Sequence, residues 1–100
     1  IVYPNTTIHS GVVLDKNVLI NSNATIGHET TIAEFSNIGP GASIGGCCKI
    51  GKNFYIGIGA SMLENITVCD HVVIGAGATV ISSIEFSGTY VGVPAKIIIK

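Results

Sequence analysis

The sequence predicts an all-β solenoid of 100 residues, in which short strands and regular turns stack coil upon coil. Three observations point to it. A six-residue repeat of aliphatic side chains runs through most of the chain, glycine and asparagine recur at fixed places within it, and charge is scarce.

The repeat is the strongest of these. Steps of six from Val2 land on Val2, Ile8, Leu14, Ile20, Ile26, Ile32, Ile38, Ile44, Ile50, Ile56, Met62, Val68, Ile74 and Val80. At an apolar content near one half, chance gives about one such run in 2¹⁴. One place after the aliphatic residue, glycine recurs at Gly27, Gly39, Gly45, Gly51, Gly57 and Gly75. Three places after it stand Asn5, Gly11, Asn17, Asn23, Gly41, Asn53, Gly59, Asn65 and Gly77. These two residue types enter the left-handed backbone region at least cost, so a residue of positive φ turns the chain every six positions. Four places after the aliphatic residue the side chains are mostly small or β-branched, from Thr6 and Val12 to Val72 and Ala78, with Phe54 and Ile66 larger. Each unit is therefore a short strand with one aliphatic and one small residue facing inward. The phase weakens after Val80, and Ser87-Gly88-Thr89 reads as a turn.

Composition narrows the function. Charged residues make up 11% of the chain, against about a quarter in an ordinary domain. With 47% apolar residues the chain can bury enough surface to fold, which excludes disorder. A net charge of −1, with five lysines and no arginine, lacks the basic footprint of a nucleic-acid binder. No apolar run approaches the ~18 residues of a membrane-spanning helix, so no membrane partner is expected. A single ordinary core of this size is marginal, so stacking or partner subunits must add stability. The chain opens at Ile1 without a signal-like segment and reads as part of a longer protein lacking its N-terminal portion. Cys47, Cys48 and Cys69 are odd in number, and two are adjacent, which suits neither a disulfide nor a metal site. Reduced thiols in a cytoplasmic protein are expected.

The hexad pattern resembles the left-handed parallel β-helix, in which three hexads form a triangular coil of eighteen residues. That resemblance implies coils at about 2–19, 20–37, 38–55 and 56–73, with a partial fifth from 74 to about 86. Residues 1–86 would form the β-helix and residues 87–100 a C-terminal capping tail. Residues eighteen apart then stack about 4.8 Å apart. Two places after each aliphatic residue lie the corners. The first corner column reads Ser10, His28, Gly46, Glu64 and Ser82; the second runs from Pro4 through Ser22, Pro40 and Ile58 to Ala76; the third reads Lys16, Glu34, Lys52, Asp70 and Gly88.

Two features of the first column suit catalysis. Histidine exchanges a proton near neutral pH, and a glycine one coil above His28 leaves its main-chain N–H open to a developing oxyanion. The third column reads as a solvated charge ladder, and the second as a narrow apolar corner suited to an extended thioester or a neighbouring subunit. His9 and His71 occupy other columns and make no cluster with His28, so no metal site is expected.

The hexads and the closing Val91-Gly92-Val93-Pro94-Ala95-Lys96 resemble the bacterial hexapeptide-repeat acyltransferases. The stretch from Leu19 through Asn21 to His28-Glu29 is similar to the segment around the catalytic histidine in one group of them. That group comprises the sialic acid O-acetyltransferases and the nucleotide-sugar (UDP-4-amino-sugar) N-acetyltransferases. The resemblance implies transfer of an acetyl group from acetyl-CoA to an amine or hydroxyl of a sugar or nucleotide-sugar. His28 would be the general base, Glu29 would hold or polarise its ring, and the Gly46 amide would face the thioester oxygen. Asn21 would position the substrate. Asn37, which replaces a histidine common in the group, falls at a substrate contact. Main-chain groups at Ile58 and Ala76 would bind the pantetheine arm. The family implies a homotrimer with sites between prisms and an N-terminal nucleotide-sugar-binding domain, which is absent from this chain. Two rival readings stay open: transfer to a free sugar, serine or an antibiotic, and a non-catalytic trimerising β-helix.

Overall fold

The computed structural model describes residues 1–98. In the hexads from Ile8 to Val80 the aliphatic residue and the one before it lie in a strand, two residues long except at Val72–Ile74, and the next corner forms a turn. The strands fall into three sheets. The first stacks β1 (Thr7–Ile8), β4 (Thr25–Ile26), β7 (Ser43–Ile44), β10 (Ser61–Met62) and β13 (Thr79–Val80). The second stacks β2 (Val13–Leu14), β5 (Thr31–Ile32), β8 (Lys49–Ile50) and β11 (Thr67–Val68). The third stacks β3 (Leu19–Ile20), β6 (Asn37–Ile38), β9 (Tyr55–Ile56), β12 (Val72–Ile74), β14 (Gly88–Val91) and β15 (Lys96–Ile97). Every pairing is parallel except β14 with β15. Ile8 on Ile26 and Ile38 on Ile56 illustrate the eighteen-residue register. The result is a left-handed parallel β-helix of about five coils, 35 × 22 × 20 Å across its principal axes.

The inward columns make the core. The aliphatic positions from Ile20 to Val80 are at most 4% exposed, and the small-residue column from Val18 to Ala78 lies beside them. Phe54 and Ile66 are accommodated at 1% and 2% exposure. Two buried hydroxyls complete the coil-to-coil ladder. Thr30 Oγ1 donates to the Gly45 carbonyl (2.9 Å) and accepts the Cys48 N–H (3.2 Å), while Ser36 Oγ accepts the Phe54 N–H (3.2 Å). Thirteen successive turn positions, from Asn5 to Gly77, have positive φ. Four of these are costly residues for that region: Glu29, Phe35, Cys47 and His71, at φ 59–60°. Ser83, which extends this column, is not among the residues of positive φ.

The glycines one place after the aliphatic residue serve another purpose. A Cβ at Gly45 would sit 2.6 Å from the Glu64 nitrogen, and one at Gly57 would sit 2.7 Å from that of Ala76. At these positions the chain turns so close to the next coil that a side chain has no room.

After Val80 the register changes. Val68 bridges to Ile84, and Ile74 pairs with Tyr90, both steps of sixteen. One side of the fifth coil is two residues short. Ile84 therefore enters the core (6% exposed), and Phe86, the next residue in the six-step phase, is left 72% exposed. Gly88 consequently pairs with Val72 rather than stacking over Asp70, and the fifth coil continues through β14 instead of stopping near residue 86. Beyond β14 the chain folds back. The Ala95 N–H donates to the Thr79 carbonyl (2.8 Å), the Thr79 N–H to Gly92 (3.0 Å), and Ala95 packs against the core. Residues 99–100 of the expected tail lie outside the described residues.

Candidate active site

The first corner holds His28 and Gly46 on successive coils, between β4 and β5 and between β7 and β8. Glycine at 27, 45 and 46 lets the coils approach here, since a Cβ on Gly27 would strike the Gly45–Gly46 peptide. The His28 imidazole lies on the α-carbon of Gly46. A Cβ built on Gly46 would be 2.8 Å from Nε2 and 2.9 Å from Cδ2. Any side chain at 46 would occupy the place of the ring. His28 is exposed and Gly46 half-buried, so both are open to a ligand.

Main-chain bonds fix the corner. The Cys47 N–H donates to the His28 carbonyl (2.7 Å) and the Asn65 N–H to the Gly46 carbonyl (2.9 Å). The Gly46 N–H itself has no acceptor among the described residues. Open amides are a property of this corner position, shared by Ile58 and Ala76, whereas those of Lys16 and Lys52 bind aspartate side chains (2.8 Å each). The histidine ring beside it sets Gly46 apart.

Glu29 does not reach the ring in this structure. Its carboxylate turns down one coil onto Gly11, where it fills the space a side chain would need. The side chain of Cys47 approaches the imidazole, with its Sγ 4.0 Å from Nδ1. The cysteine count and spacing in the sequence did not connect Cys47 with His28. The eighteen-residue stacking, offset by one residue, is the signal that could have done so.

Asn21 and Asn37 form a separate pair near the second corner. Asn21 Nδ2 donates to Asn37 Oδ1 (3.0 Å) and to the Ile38 carbonyl (2.9 Å). Both its N–H groups are thus engaged in holding adjacent coils, and its carbonyl oxygen and the Asn37 amide nitrogen remain for a ligand. Ile58 and Ala76 lie at this corner too, exposed, one prism side away from His28. A single chain therefore brings together His28 with Gly46, and Asn21 with Asn37, but not the two pairs with each other.

The third corner is the expected ladder. Glu34 lies 3.5 Å from both Lys16 and Lys52, and Asp70 binds the Lys52 N–H. Among the described residues no group of three His, Cys, Asp or Glu side chains is placed to hold a metal ion, and no helix is long and apolar enough to cross a membrane. Burial, the larger cause, pushes the Cys48 thiol above its ordinary value, and its Sγ points at the Leu63 carbonyl (3.3 Å).

Comparison with known proteins agrees with this architecture. Residues 47–82 match the family described as bacterial transferase hexapeptide (six repeats). A serine acetyltransferase of Buchnera aphidicola subsp. Schizaphis graminum is 38% identical over 104 residues, covering 99% of this chain and 40% of the relative. The acetyltransferase domain of PglB from Neisseria gonorrhoeae FA1090, solved with acetyl coenzyme A, superposes with a TM-score of 0.76 at 31% identity. That match covers 97% of this chain and 53% of the other. PerB from Caulobacter crescentus, solved with CoA and GDP-perosamine, shares the fold with a TM-score of 0.77 at 22% identity, over 97% and 56% of the two chains. This chain thus spans about half or less of the length of these proteins. Residues 47–82 thus carry the repeat of the bacterial transferase hexapeptide family, and the same hexads run through the β-helix from Val2 to Val80.

Proposed function

We propose that this β-helix is the catalytic part of an acetyltransferase that moves an acetyl group from acetyl-CoA to an amine or hydroxyl of a sugar or nucleotide-sugar. The observation that carries the proposal is the His28 ring lying on Gly46, with the Gly46 N–H unpaired among the described residues. The acceptor would lose its proton to Nε2 as it attacks the thioester carbonyl. The Gly46 amide would stabilise the tetrahedral oxyanion, and the CoA thiolate would leave. The exposed second corner, with open amides at Ile58 and Ala76, suits the pantetheine arm. The acetyl coenzyme A bound by the PglB domain supports the choice of donor. The Asn21-to-His28-Glu29 segment supports the sugar acceptor.

Because His28 and the Ile58–Ala76 corner lie one prism side apart, the site would be completed by a second copy of the chain. A homotrimer would place a first corner against a neighbour's second. The 38% identity to a serine acetyltransferase favours a second reading, in which the acceptor is the hydroxyl of free serine. A screen of thiol release from acetyl-CoA against a UDP-4-amino-sugar, free sugars and L-serine separates them. Turnover with sugars alone supports the first reading and turnover with serine alone the second. Absence of acetyl-CoA binding by calorimetry would overturn both in favour of a non-catalytic scaffold.

A further inference from the structure

We propose that Cys47 is a positioning residue for His28, taking the place that the sequence suggested for Glu29. The inference rests on the reading of His28 as general base. Both ring nitrogens have defined surroundings. Nε2 lies toward Gly46, and Nδ1 lies 4.0 Å from Cys47 Sγ. Glu29 is directed at Gly11 and makes no hydrogen bond to the ring among the described residues. Cys47 is anchored where it must be to act in this way, because its N–H binds the His28 carbonyl at 2.7 Å. The turn that would favour glycine or asparagine instead holds cysteine at φ 59°, with its side chain toward the imidazole.

The chemical consequence is a choice of tautomer. When Nδ1–H faces the sulfur, a weak acceptor, the lone pair stays on Nε2, the nitrogen beside Gly46 and the acceptor's proton. Rotation of the ring about χ2 would put Cδ2 and Cε1 in the places of Nδ1 and Nε2, and the sulfur favours the state that faces it with Nδ1. Cys47 touches neither donor nor acceptor in this scheme; it acts through His28 alone.

Two variants at residue 47 test this. Cys47→Gly keeps the positive φ and removes the partner, and Cys47→Asn keeps the turn while offering a carbonyl oxygen to Nδ1–H. The primary readout is the ¹⁵N spectrum of His28 in the neutral protein, which needs no substrate and distinguishes the tautomers. The wild type and Cys47→Asn should show mainly the Nδ1–H form, and Cys47→Gly should shift toward Nε2–H. Turnover of acetyl-CoA with a UDP-4-amino-sugar or L-serine should follow, with kcat roughly tenfold lower in Cys47→Gly, KM for acetyl-CoA unchanged, and recovery in Cys47→Asn. A wild-type tautomer ratio and kcat in Cys47→Gly, with His28→Ala inactive, would overturn the role of Cys47 alone. Full turnover by His28→Ala would instead overturn the proposed function, whatever the ¹⁵N spectra report.

Discussion

The imidazole of His28 rests on the α-carbon of Gly46, one coil above it, so closely that a methyl group at residue 46 would lie 2.8 Å from Nε2. Glycine is therefore needed at 46 for space, since its φ is not positive. Gly46→Ala should leave the backbone undisturbed, because residue 46 is only half-buried and adopts an ordinary conformation. It should nonetheless displace the ring and lower kcat about 10²-fold, as misplacing a catalytic group does. Steady-state kinetics alongside a thermal melt check this; unchanged kcat would show that the ring does not need this place.

Gly57 and Gly59 are two residues apart and required for different reasons. A Cβ at Gly57 meets the Ala76 nitrogen at 2.7 Å, whereas one at Gly59 meets nothing within 4 Å but would sit at φ 65°. Gly57→Ala should cost about 1–3 kcal/mol through overpacking. Gly59→Asn should be nearly neutral, because asparagine tolerates the left-handed region, while Gly57→Asn should be worse than Gly57→Ala. Urea denaturation of the three variants decides, and equal losses at both positions would contradict the distinction.

The fifth coil makes a third prediction. Ile84→Ala should destabilise by about 2–5 kcal/mol because Ile84 is in the core, and Phe86→Ala by less than about 0.5 kcal/mol. The reverse order would restore the uninterrupted six-step phase and refute the two-residue shortening.

That shortening shows where the sequence ceased to be readable. Stacking forces each coil to repeat the inward pattern of the one below, so Val2 through Val80 print the fold directly. The last coil has nothing above it to match. It can lose two residues, and the presence of apolar Phe86 in phase conceals the slip. The candidate site divides in the same way. His28 and Gly46 were legible because corners stack at a fixed interval. The direction of Glu29 toward Gly11 and the approach of Cys47 to Nδ1 depend on side-chain rotamers, which a period does not encode. The glycines after the aliphatic residues were visible as a column, but the close approach that requires them lies between coils rather than along the chain.

The adjacent cysteines should behave oppositely. Cys47 is exposed and Cys48 buried, so a thiol reagent should modify Cys47 in the native protein and reach Cys48 only on unfolding. Burial raises the Cys48 thiol in the folded state above its unfolded value of 9.0, so its contribution to stability is present below that pH and is lost as pH rises past it. Cys48→Ala should remove this part of the alkaline loss of stability, measured by denaturation between pH 8 and about 10.5. An unchanged slope would mean that the thiol is not desolvated.

The most direct test of the account is the turnover of His28→Ala with acetyl-CoA and the acceptor that the wild type uses best, measured beside its thermal melt and oligomeric state. Removal of the base should lower the rate by roughly 10²–10⁴, with the β-helix and its assembly unchanged. Near wild-type turnover by an intact His28→Ala protein would contradict it.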